Sequence, residues 1–489
     1  MEIKNNNISF YIIFTILALF VSNNLYAHGT VTKVETTFPL WIYILGGALT
    51  VLLSFLIIGS YGRNIPGLRN YQKKQININI ESKLISGTVI NFSKSFSIFL
   101  YLLVIVSGFI GTYNEIYSLS SVLFWVVFWA GFSILCSIFG NFWYYINPVK
   151  ILYDFFENLL NISDKDKYTY PKILDYWPAV FLFLIFAIFE LIFDGSDRPR
   201  NISLFVIFYS IFIWVGMYFY GSKTWLEKSD IFTIVFELFS RLSFIEKSIK
   251  NKNATQDDLF SDKTVSNPDN KYFIRYPSSG LLFSNKLSLS LVIFIILVLS
   301  TVTFDGISMT EVWLDILLRF EYQSFISYFV EVIALLVLFL SFIIIFFSFC
   351  KLMKIFGKLK IGIVEIATIF VITLLPIAVA YHLSHYLWYF IVTGQETIAL
   401  LSDPFGYGWD LFGTSNFIVN RDFNLELAHS ISVGLIILGH IGSVFTSHVY
   451  AVRLSTNEKD ANYSQFPFLI LMISYTILSL WIVSQSLTI

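Results

Sequence analysis

Ten stretches of the chain are almost wholly apolar, at 40–59, 96–112, 119–140, 177–193, 203–221, 287–304, 328–350, 363–392, 427–450 and 466–483, and polar, charge-bearing segments separate them. Each approaches or exceeds the ~20 residues that carry a helix across the hydrocarbon of a bilayer. Lipid offers the backbone no hydrogen-bond partners, so such runs are expected as helices, whose N–H and C=O groups pair internally. The pattern predicts an all-α integral membrane protein of about ten transmembrane helices. An eleventh run, 231–245, is shorter and carries Glu237 and Arg241, which predicts an amphipathic or re-entrant segment.

The polar segments set the organisation. Residues 1–27 have the layout of a signal peptide: Lys4, an apolar core at 8–21, then SNNLYA ending at Ala27. Cleavage there makes His28 the first residue of the mature chain. The stretch KNKNATQDDLFSDKTVSNPDNK at 250–271 is poor in apolar residues, so 250–286 reads as a polar cytoplasmic connector. It divides an N-terminal membrane half, 28–249, from a C-terminal half, 287–489. With the N-terminus outside, the loops at 60–95, 141–175, 222–286, 351–362 and 451–465 face the cytoplasm and hold 26 of the 32 Lys and Arg residues. That asymmetry predicts an N-out, C-out protein of the bacterial inner membrane.

Composition agrees: 56% of the residues are hydrophobic and 13% charged, against about a quarter charged in a soluble domain, and mean hydropathy is +0.71. The lipid bilayer is thus the expected surrounding. A net charge of −1 gives no argument for nucleic acid, and no partner subunit is indicated. Cys136 and Cys350 lie in separate apolar runs without metal-type spacing and read as buried thiols.

The candidate chemistry rests on six histidines. The stretch AYHLSHYLWYF, 380–390, places His382 and His385 three residues apart on one helical face. His429, His440 and His448 lie on the next apolar run, which is expected to pack against the first. Depth along the helices puts His440 near the level of His382, with His448 roughly 12 Å deeper. Imidazoles at matching depth suit a divalent metal, copper or zinc, or a haem. His28 adds a second signal, because an N-terminal histidine chelates through its amine and its ring. The outer loop DPFGYGWDLFG, 403–413, carries Asp403 and Asp410, which can complete a coordination sphere or act as general base. It is expected either at the interface or folded back into a membrane cavity. Glu190, Glu331 and Glu365 are carboxylates at membrane depth and should face the bundle interior. Walker, GxSxG and HExxH motifs are absent.

Segments along nearly the whole chain resemble a bacterial family of multi-span membrane proteins carried under the name fenitrothion hydrolase. They are HGTV and FPLWIYILGGALTVLLSF within 28–55, GNFWYYINPVKIL at 140–152, YPKILDYWPAVFLFLIFAIFEL at 170–191 and FTIVFELFSRLS at 232–243. STVTFDGISMTEVW at 300–313, AYHLSHYL at 380–387, SDPFGYGWDLFGT at 402–414 and GHIGSVFTSHVYAVRL at 439–454 complete the set. His28, His382, His385, His440 and His448 fall inside these stretches and His429 does not. The resemblance implies hydrolysis of an organophosphate triester, a small lipophilic substrate, by metal-activated water. The residues taken alone fit a copper- or haem-binding redox or metal-handling protein equally well, and a transporter is a third reading.

Overall fold

The computed structural model describes residues 31–32, 39–61, 74–76, 83–112, 118–161, 167–248, 271–282, 287–320, 324–421, 425–455, 458–484 and 487–488. The expected signal segment, His28 and most of the expected polar connector lie outside the described residues. The protein is an all-α, multi-span membrane protein. Among the described residues nine helices are long and apolar enough to cross a bilayer. They are α1 (Leu40–Tyr61), α2 (Lys83–Ile110), α3 (Leu119–Phe139), α5 (Pro199–Tyr220), α8 (Leu289–Ser308), α9 (Phe325–Phe356), α10 (Ile363–Thr393), α11 (Leu425–Leu454) and α12 (Glu458–Val483). Between them stand α4 (Trp177–Leu191), α6 (Ser222–Ser229) and α7 (Ile231–Ser240).

Helix α4 has 15 residues and rises only about 22 Å. Strand β1 (Val31–Thr32) pairs antiparallel with the C-terminal strand Leu487–Thr488, and Gly47 near the start of α1 packs on Thr476 and Leu480 near the end of α12. Residues 31–32 and 487–488 therefore lie on the same side of the bundle. Helix α4 exposes Trp177, Phe181 and Ile185 on one stripe and buries Val180, Phe183, Ala187 and Glu190 on the other.

The apolar residues sort by face. Helix α9 turns Phe325, Phe329, Ile333, Val337, Leu340 and Ile344 outward, a stripe suited to lipid. Helix α8 is the opposite case: it buries 16 of its 20 residues and packs against α4, α9, α10 and α12. The buried core is continuous from Val51 in α1 to Tyr475 in α12, so the two halves share one interior.

Two helices carry irregular turns beside the centre. In α3, Val122–Phe132 is wound as a π-helix, and both Trp125 and Trp129 reach Phe186, at ring separations of 5.9 and 4.9 Å. In α10, Val371–Leu374 tightens to a 3-10 turn just before Pro376. Proline has no N–H to give the carbonyl four residues back and its ring crowds that carbonyl, which explains the break.

The short run expected as amphipathic or re-entrant is enclosed: all ten residues of α7 are buried. Its charges are met inside the protein, Glu237 by Asn141 Nδ2 at 2.9 Å and by Arg241 at 3.3 Å. Beyond its C-terminus the buried Arg275 guanidinium donates to the carbonyls of Ser240, Arg241 and Ser243 at 2.8–3.2 Å. Arg275→Ala is expected to cost on the order of 2–3 kcal/mol by leaving these carbonyls unpaired, and Arg275→Lys to recover only part of it, since one ammonium cannot reproduce the planar fork. Thermal unfolding of the purified variants in detergent measures both.

Candidate functional site

Helical periodicity divides α10 into two opposed stripes. Pro376, Ala380, Ser384 and Trp388, four residues apart, meet α11: Gly439 seats against Pro376 and Ala380, and Ser432 Oγ donates to Ser384 O at 3.1 Å and accepts from Trp388 Nε1 at 3.2 Å. Small residues let the backbones approach there. His382 is two residues, about 200°, from Ala380, so it points away from α11. The expectation that His382 and His385 face the histidines of α11 is therefore corrected. The close-packed seam belongs to the small residues, and the histidines turn toward α3, α7 and α8.

On that side they meet carboxylates. His385 Nε2 lies 2.9 Å from Asp305 Oδ2 of α8. The hydroxyl of Tyr386 stands 2.9 Å from Glu190 Oε1 of α4 and 3.3 Å from Asp305 Oδ2, bridging the two acids. His382 is held edge-on by Trp129 and Phe239, each at a ring separation of 5.3 Å, and contacts Tyr386 at 4.5 Å. Glu190, Asp305, His382 and Tyr386 are buried, and only His385 is partly exposed. Two carboxylates in an apolar interior are costly unless protonated or paired, and a single histidine offers at most one countercharge. This group is the candidate site.

Of the other expected site residues, His28 lies outside the described residues, and His440 and His448 have partners of their own. His440 directs Nδ1 to Ile436 O at 2.8 Å, His448 shares Nδ1 with Gln465 Oε1 at 3.0 Å, and His429 packs edge-on against Tyr43. Nε2 of His382, His385, His429 and His440 is buried without an aligned hydrogen bond, so the 2.9 Å approach of His385 to Asp305 is one of distance and charge. Among the described residues no three His, Cys, Asp or Glu side chains are grouped to hold a metal ion.

Asp403 and Asp410 shape their own loop. Asp403 accepts from Tyr407 N and Gly408 N at 2.9 and 2.8 Å, and Asp410 accepts from Ser402 Oγ and Ser415 N, each at 3.0 Å. The Ser415 N–H leads the contacts that hold the Asp410 carboxyl below its ordinary value. Gly406, Gly408 and Gly413 take positive φ in these turns. Tyr407, Trp409, Leu411 and Phe412 are exposed, and Tyr407 donates to Ile110 O at 2.8 Å, so the loop lies on the surface at the end of α2.

Of the carboxylates singled out from sequence, Glu190 joins the site, Glu331 is partly exposed on α9, and Glu365 sits in the first turn of α10, about 30 Å along the axis from Tyr386. Asp305 lies just beyond the apolar run that ends at Phe304, so the run pattern does not single it out. The helix continues to Ser308, and a lone carboxylate three residues from that end is the available signal. Comparison with protein-family models, curated proteins and solved structures finds no match to the chain.

Proposed function

We propose that this chain is a proton-coupled membrane transporter whose proton site is the group Glu190, Tyr386, Asp305 and His385. The observation that carries the reading is the Tyr386 hydroxyl, within 3.3 Å of two buried carboxylates. A hydroxyl has one proton to donate and lone pairs to accept with. It can accept from a protonated Asp305 while donating to ionised Glu190. Shifting both protons moves the acid from Asp305 to Glu190 with almost no movement of heavy atoms. The two acids exchange protons as one coupled unit.

His385 connects the unit to the exterior. Its side chain is 10% exposed, against 2% for Asp305, and an imidazole protonated from water can hand that proton to the carboxylate 2.9 Å away once the ring turns to align its N–H with that oxygen. The lysine and arginine asymmetry favours the exterior face of the inner membrane as the side of entry. Carboxylate and histidine chains at membrane depth are a recurring device of pumps and transporters.

Infrared titration of the purified protein tests the reading. Expected is a protonated-carboxyl band that titrates in the wild type and moves in Tyr386→Phe, with proton uptake after a pH jump slowed at least about tenfold in that variant. Uptake unaffected by Tyr386→Phe overturns the relay. Stoichiometric copper or zinc in the purified protein, with phosphotriester turnover lost in His382→Ala, overturns it in favour of the hydrolase implied by the resemblance.

A further inference from the structure

Helices α2, α3 and α5 line a cavity of about 330 Å³, which shares no residue with the relay. Phe96, Phe124, Phe128, Phe205 and Phe232 are among its walls, and Asn147, Tyr209 and Asp230 also line it. Phe92 and Phe96 line the cavity and are themselves exposed on α2, so the mouth opens where a lipid-dissolved molecule would arrive.

Asp230 sets the chemistry of the ligand. It is 2% exposed and accepts from Tyr209 Oη, Thr233 Oγ1, Asn147 Nδ2 at 3.2 Å and Phe232 N at 3.3 Å. All four donors are neutral, and among the described residues no lysine or arginine lies within ion-pair distance of it. The carboxylate is thus held by hydrogen bonds and lacks a fixed countercharge, in a chamber walled by phenyl rings. Ring faces attract cations, most strongly where water is excluded. The acid caps the N-terminus of α7 and its hydrogen bonds are met within the protein, but a neutral guest adds no countercharge to it and an anion is repelled by it.

We infer that this cavity binds a lipophilic monovalent organic cation, with its charged group beside Asp230 and its apolar body among the phenylalanines. The inference needs no proton movement and stands whether or not the relay operates. The test is filtration binding of radiolabelled phenylbutyltrimethylammonium to the full-length protein in lipid nanodiscs. Saturable binding is expected, displaced by the unlabelled cation at a concentration at least about tenfold below that of its neutral isostere, which carries carbon in place of nitrogen. Asp230→Asn is expected to abolish saturable binding. Should that variant fail to fold, the displacement pair on the wild type decides alone. Absence of saturable binding, or equal displacement by the neutral isostere, overturns the inference.

Discussion

The Asp305→Asn substitution is expected to slow proton uptake at the buried site by on the order of 100-fold, the scale of losing one positioned acid–base group. The side chain keeps its shape, so Tyr386 and His385 keep their packing, but the amide cannot take the proton that passes between His385 and the Tyr386 hydroxyl. Stability should move the other way. Asp305 is buried and shares one hydroxyl with Glu190, so a permanently neutral amide removes the desolvation cost that the acid bears whenever it is the ionised member of the pair. The unfolding midpoint is expected to stay level or rise while uptake is lost. A purely structural role for Asp305 predicts the reverse, a lowered midpoint with uptake retained, and the two measurements together separate them.

A second large effect is expected at the seam between α10 and α11. A Cβ added at Gly439 would stand 2.4 Å from Ala380 Cβ and 2.7 Å from Pro376 O. The carbonyl is backbone and cannot swing aside, so the helices have to separate. Gly439→Ala is expected to cost about 1–3 kcal/mol as overpacking, and Gly439→Leu more. Because the opposite face of α10 carries His382, His385 and Tyr386, the displacement should also lengthen the contacts to Glu190 and Asp305, and the carboxyl infrared band should shift. Gly434, on the same helix, has nothing within 4 Å of an added Cβ, and Gly434→Ala is the matched control, expected to change neither readout.

The span pattern was legible because it needs only local information. Twenty apolar residues in lipid have one economical backbone state, and nine of the ten predicted runs recur as helices of membrane length, with the tenth realised as the shorter α4. The buried state of Cys136 and Cys350 was legible for the same reason. The enclosure of α7 was less so: Glu237 and Arg241 suggested a polar face, but their partners lie next to them and on a loop ninety-six residues away, and pairing made burial tolerable.

The sequence by itself determined an all-α membrane bundle and the presence of ionisable groups within it, since apolar run length and the rarity of charge in lipid are properties of the chain alone. Which of those groups meet was decided by tertiary structure. Helical spacing placed His382 and His385 on one face, but the direction of that face followed from where Gly439 lets α11 approach α10. That choice sent the pair toward Asp305 and Glu190 and away from His440, because close backbone contact at the small residues leaves no room there for an imidazole.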